Sequence, residues 1–155
     1  MDTIIIGSDH GGFEYKQKLI PHLKGLGYEV KDFGCYSTTA VDYPDIAFLI
    51  AQSVSAGFLV NNTRGIMIDG SGVASAIVCN KVPGIRATPC ATEFTAESAR
   101  AHNNSNLLTL GSRVIDYDTT VKIVDKWLTT PYEGGRHDRR VDKIREIERQ
   151  YLKSK

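Results

Sequence analysis

Five short apolar runs recur along this 155-residue chain, and segments with helical spacing separate them. The runs cover 3–7, 28–33, 64–69, 85–89 and 106–110. The helical segments cover 13–26, 44–56, 73–81, 93–102, 118–128 and 138–152. A strand that returns parallel to its neighbour needs a crossover of about this length, so the alternation predicts βαβ units. The runs are nearly continuous in apolar residues, as strands covered on both faces are. The expected fold class is α/β, a three-layer αβα Rossmann-like sandwich with a five-stranded parallel sheet. Pro21 inside the first helical segment predicts a kink or local irregularity.

No linker, repeat or low-complexity stretch divides the chain, which reads as one domain over 1–155, long enough to bury a core. The last helix, about 138–152, places Val141, Ile144 and Ile147 on one narrow stripe. It either covers its own domain or packs on a second subunit. Hydrophobic residues make up 41% and the net charge is +1, which gives no bias toward nucleic acid or a membrane surface. No apolar run is long enough to span a bilayer, and the amino terminus reads as a strand rather than a signal peptide. Cysteines stand at 35, 79 and 90 without CxxC spacing, which argues against zinc or a redox pair and fits a reducing cytoplasm. The four histidines lack HxxxH or HxH spacing, so a metal site is not expected.

The chemistry concentrates at Gly65-Ile66-Met67-Ile68-Asp69-Gly70-Ser71-Gly72. A buried strand delivers the Asp69 carboxylate straight into a glycine turn whose backbone N–H groups can hold an anion. In open α/β sheets, ligands bind beyond the carboxyl ends of the strands. Four polar clusters are expected there: Ser8-Asp9-His10-Gly11-Gly12, Asp42-Tyr43-Pro44-Asp45, Asp69-Gly70-Ser71-Gly72 and His102-Asn103-Asn104-Ser105-Asn106. His10 either donates to an anion or sugar oxygen or belongs to a helix-capping turn. Arg136 and Arg140 are four apart at a helix start, so both forks share one face, an arrangement suited to phosphate. The stretch 70–75 with Glu93 twenty residues on also imitates a dinucleotide fingerprint, but it follows the wrong strand.

Taken together, these clusters resemble the ribose-5-phosphate isomerase B family, which includes galactose-6-phosphate isomerase subunits. The match continues through Asn80-Lys81-Val82-Pro83-Gly84-Ile85-Arg86-Ala87, Leu110-Gly111-Ser112-Arg113-Val114 and Glu133-Gly134-Gly135-Arg136-His137. The resemblance implies cofactor-free isomerisation of a phosphorylated pentose or hexose by a homodimer or homotetramer with sites at the subunit interface. By position, His102 would open the sugar ring and Asn103 would bind it. Asp9, His10 and Tyr43 would contact the substrate, and Arg113, Arg136 and Arg140 would surround its phosphate. Backbone amides of Gly70, Ser71, Gly72, Val73, Ala74 and Ser75 would hold the enediolate oxygens, with Ser71 counted among the catalytic residues.

This chain departs from the family at the base. Many members place a cysteine before the Gly-Ser/Thr-Gly turn, and another branch uses a glutamate six residues later; here Asp69 and Ser75 occupy those positions. A carboxylate is intrinsically the weaker base by roughly 6 kcal/mol of proton affinity, and burial recovers much of such a gap. Asp69 is thus a chemically admissible proton carrier. The competing reading is that it accepts hydrogen bonds from its own loop and fills the anion hole. The A subunit of galactose-6-phosphate isomerase also has aspartate here, which implies a catalytically silent subunit requiring a paralogous partner.

Overall fold

The computed structural model describes residues 1–152. Among them, the strands are β1 (Thr3–Ser8), β2 (Glu29–Asp32), β3 (Arg64–Asp69), β4 (Ala87–Pro89) and β5 (Leu107–Gly111). The helices are α1 (Phe13–Gly25), α2 (Tyr43–Asn61), α3 (Val73–Cys79), α4 (Glu93–Asn103), α5 (Tyr117–Thr129) and α6 (Arg136–Leu152). All strand pairs are parallel, in the order β2-β1-β3-β5-β4. The α/β expectation is met, and helices cover both faces of the sheet.

The period-two alternation of each central strand builds two cores. Ile4, Ile6, Ile66, Ile68, Leu108 and Leu110 face α1, α4 and α5, where Trp127 is fully buried. Ile5, Met67 and Leu107 face α2 and α3. Burial of each such aliphatic side chain contributes about 1.5–3 kcal/mol, so the central strands carry most of the cohesion. The edge strand β2 is the exception to the apolar expectation. Its Glu29-Val30-Lys31-Asp32 alternates between exposed and half-buried, which suits an edge that must resist pairing with another sheet.

Boundaries differ from expectation where side chains intervene. β4 begins two residues late because Arg86 and Ala87 give their amides to Asn106 and Asn80 side chains. α2 runs on through Gly57 to a left-handed Asn62, rather than stopping at 56. α1 continues through Pro21 as one helix. His22 on α1 is half-buried and meets Asp125 of α5 at 2.7 Å. On α6 only His137 and Val141 are buried, and Ile144 and Ile147 remain 47% and 57% exposed.

Lys16 carries a polar feature that the sequence did not announce. It is fully buried on α1, and its ammonium donates to Asp32 Oδ1 at 2.6 Å and to the Cys35 carbonyl at 2.5 Å. Asp32 Oδ1 also accepts from the Gly34 amide. The segment so held bonds β1 on both sides of Ser8, through Ser8 N to Gly34 O and Cys35 N to Ser8 O. Lys16 therefore fixes the end of β1, one residue before Asp9. Replacement by methionine leaves the Asp32 carboxylate without its cation and should cost about 3 kcal/mol of stability. Urea unfolding monitored at Trp127 checks this; an unchanged midpoint would show that the pair is dispensable.

Candidate active site

The strand order reverses direction between β1 and β3, and the loops that follow these two strands diverge above the sheet. A cleft of about 400 Å³ opens there, lined by Asp9, Tyr43, Asp69, Gly70, Ser71, Ala74, Arg113 and Val114. Such a switch point is where an open α/β sheet leaves room for a ligand.

Three loops are knitted into its floor. Asp9 N donates to Ile68 O, Ser112 N to Asp69 O, Arg113 N to Gly70 O, and Ser112 Oγ to Gly11 O. The close approach explains Gly12: a Cβ there would lie 2.3 Å from the Ile68 carbonyl oxygen. Gly72 has φ near 78°, a left-handed turn that favours glycine and begins α3 immediately after it.

Asp69 is 4% exposed, and both of its oxygens are engaged. Oδ1 accepts from the amides of Ser71, at 3.2 Å, and Gly72. Oδ2 accepts from the Ser75 amide at 3.2 Å and the Ser75 hydroxyl at 2.6 Å. Four donors match the approximately four lone-pair sites of a carboxylate. Of the six amides in 70–75, three point at Asp69, and Val73 N donates to Ser71 Oγ. The carboxylate of the chain itself thus occupies much of the anion hole expected for substrate, and Ser75 is its partner rather than a vacant position.

Four further side chains surround this carboxylate's turn. Asp9 is almost buried, and its Oδ1 accepts from Gly12 N. His10 is exposed, and its Nδ1 accepts from Val41 N at 3.2 Å, which places the ring proton on Nε2, facing outward. Tyr43 opens α2 at the wall of the cleft. Among the described residues, Arg113 makes no ion pair within the chain, and it lines the same cleft. Burial, and then the Asp69 carboxylate, push the Cys79 thiol up to about 12. None of the three cysteines lines this cleft.

One expectation is corrected. The cluster 102–106 does not lie beyond the carboxyl ends of the strands. α4 runs antiparallel to the sheet, so His102 and Asn103 sit at its opposite, amino edge, just ahead of β5. Asp69 is level with Gly111 at the far end of β5. The length of that strand alone separates the two edges by about 13 Å. His102 Nδ1 lies 3.2 Å from Ser98 Oγ, and its ring stacks on His137 at 4.4 Å. Arg136 and Arg140 open α6, exposed beside this edge and, among the described residues, without a partner in the chain. Sequence reasoning singled out the stretch holding Glu133 and His137 but gave these two no role; only the fold brings them to His102.

The sequence profile of the Ribose/Galactose Isomerase family matches residues 4–144. Ribose-5-phosphate isomerase B of Escherichia coli is 43% identical over 96% of this chain and 97% of its own. The chain belongs to the ribose/galactose isomerase family. It is therefore a member of a family of sugar-isomerase enzymes, as the resemblance implied. Solved relatives agree in fold. Ribose-5-phosphate isomerase B of Clostridium thermocellum superposes with a TM-score of 0.92 at 47% identity, covering 96% of this chain and 99% of that one. The Mycoplasma genitalium enzyme, solved with bound ribulose-5-phosphate, gives 0.91 at 42% identity, covering 96% and 97%. Among the described residues, no helix is long and apolar enough to cross a membrane.

The raised Cys79 thiol has a consequence for pH. The unfolded thiol ionises first, near its ordinary 9.0, so this group's contribution is intact below that pH and is lost as pH climbs toward about 12. Cys79 and Cys90 should resist a thiol-specific disulfide reagent at pH 8 in the native chain and react fully once it is unfolded in guanidinium chloride. Rapid native labelling of Cys79 would contradict its burial.

Proposed function

We propose that this chain interconverts a phosphorylated aldose and its ketose, with ribose 5-phosphate and ribulose 5-phosphate as the preferred pair, through a cis-enediolate and without a cofactor. The observation that carries this reading is the Asp69 carboxylate at the floor of the switch-point cleft, with loop amides and Arg113 around it. Family membership supports the reaction class.

In this reading the loop amides change acceptor. Substrate oxygens entering the cleft compete with Asp69 for Ser71 N and Gly72 N. As these donors turn to the developing enediolate, Oδ1 is released to take the carbon-bound proton and return it to the neighbouring carbon. Preorganised donors aimed at developing charge supply the largest share of stabilisation in such steps. Ser75 keeps Oδ2 in place during the transfer.

Ring opening falls to His102, which stands at the wrong edge of its own sheet. The site is completed by a second copy whose amino edge, with His102, Asn103, Arg136 and Arg140, faces the Asp69 cleft. The half-exposed Ile144 and Ile147 supply apolar surface for such packing. A phosphate held by His10, Arg113 and the neighbour's arginine pair would then set the register of the sugar.

A second reading has its own observation. All four donors to Asp69 come from its own turn, and a carboxylate that never releases them takes no proton. The chain would then bind sugar phosphate as a silent subunit and depend on a paralogous, cysteine-bearing partner. Isomerisation by the purified chain separates the two. Asp69→Asn should lose at least a hundredfold in kcat while retaining binding, whereas Asp69→Cys should retain turnover. Tight binding of ribose 5-phosphate with no turnover by the wild type would reject the enzyme reading.

The two-copy site has a further test. Inactive Asp69→Asn and His102→Asn chains, unfolded together and refolded, should regain about a quarter of wild-type activity, because half of a random dimer population carries one intact site of two. No recovery would place both groups in the same chain's site.

A further inference from the structure

At the amino edge, His102 stands beside two groups to which the proposed isomerisation gives no part, Glu133 and His137. Glu133 Oε2 lies 3.4 Å from His137 Nε2 and 4.0 Å from His102 Nε2. The three ligand atoms of these residues lie within 4.8 Å of one another. We propose that His102, Glu133 and His137 form a binding site for a divalent transition-metal cation of the zinc class.

Two imidazoles and one carboxylate are a donor set that such ions prefer. Bonds of about 2.0–2.2 Å place two ligand atoms of a tetrahedral ion about 3.4 Å apart. The Glu133–His137 separation already has this value, and the remaining separations, up to 4.8 Å, have to shorten for all three to bind one ion. Glu133 is exposed and His102 is 41% exposed, so both side chains are free to close on an ion.

His137 supplies an independent sign. Its ring is 5% exposed, and its Nε2 is buried with no hydrogen-bond partner. An unsatisfied buried nitrogen costs about 1–3 kcal/mol, and the Glu133 oxygen nearby is off line for a hydrogen bond. A cation between them gives the lone pair its acceptor.

The surroundings orient the ligands. Glu133 N donates to Ala101 O at 3.0 Å, which pins the Glu133 backbone beside the end of α4. Gly134 and Gly135, both at positive φ, turn the chain so that His137 on α6 faces the same point. With Nδ1–H of His102 donating to Ser98 Oγ, Nε2 carries the lone pair, the outer-shell arrangement common to ligating histidines. The His102 and His137 rings stack 14° from parallel. A tilt of the more exposed His102 ring brings its lone pair onto the ion, and water completes the coordination.

The functional consequence rests on the role of His102 proposed above. An ion on Nε2 removes the group that opens the sugar ring, so zinc at this site is an inhibitor, not a cofactor. Histidine spacing along the sequence could not show this, because the ligands come from the end of one helix, a loop and the start of another.

Cobalt(II) added to the chelator-stripped full chain reports the site directly. One ion per chain should bind, with the visible absorption of a low-coordinate nitrogen–oxygen site, and zinc should displace it. Glu133→Gln, at an exposed position, should weaken uptake at least tenfold, and His137→Asn should do the same. No saturable uptake, or uptake unchanged in Glu133→Gln, would overturn the site. Isomerisation by the wild type should fall with zinc occupancy while Glu133→Gln stays active. Zinc bound without loss of turnover would leave the site standing and reject the ring-opening role of His102.

Discussion

The Asp69 carboxylate joins the end of β3 to the start of α3 through the amides of Ser71, Gly72 and Ser75 and the Ser75 hydroxyl. The same residue's carbonyl accepts from Ser112, so the end of β5 is tied to the same point. Lys16 stiffens the adjoining end of β1 from below. Three loops thereby become one rigid floor, and the open volume above it is what remains when their backbones are satisfied. A family cysteine at this position could not accept four such bonds, since a thiol sulfur is a weak acceptor. An aspartate here is therefore part of the turn's own hydrogen bonding.

That coupling sets the reaction's energetic problem. In the resting chain the amides stabilise Asp69; in the proposed proton transfer they turn instead to substrate oxygens. Each amide gained by the enediolate is one lost by the carboxylate, so donor exchange and proton uptake advance together. The proposed ring-opening group, His102, lies away from this cleft in the same chain. Parallel β3 and β5 place Asp69 at one edge of the sheet, and the antiparallel run of α4 carries His102 to the other. No side-chain rotation spans that distance, which is why the proposed reaction calls on a second copy.

Much of this was legible in the sequence. The strand and helix alternation gave the parallel sheet, and the clusters around Asp9, Tyr43 and Asp69 converge as strand-end chemistry requires. The His102 cluster was misplaced although its position directly ahead of β5 already puts it at that strand's amino end. Buried Lys16 looked like any helix-surface lysine until Asp32 and the Cys35 carbonyl enclosed it. The meeting of Glu133 and His137 with His102 depends on how α6 docks on α4, which no local pattern encodes. The four-fold engagement of Asp69 was visible only as an alternative, because the same Gly-Ser-Gly turn can serve a ligand or its own strand end.

The most direct measure of the central claim is deuterium uptake from heavy water into C2 of ribose 5-phosphate, followed by NMR on the purified chain. An Asp69 that leaves its turn to take the proton predicts steady incorporation by the wild type and none by Asp69→Asn at equal substrate occupancy. Incorporation that continues in Asp69→Asn, or its absence from a substrate-saturated wild type, would contradict the account.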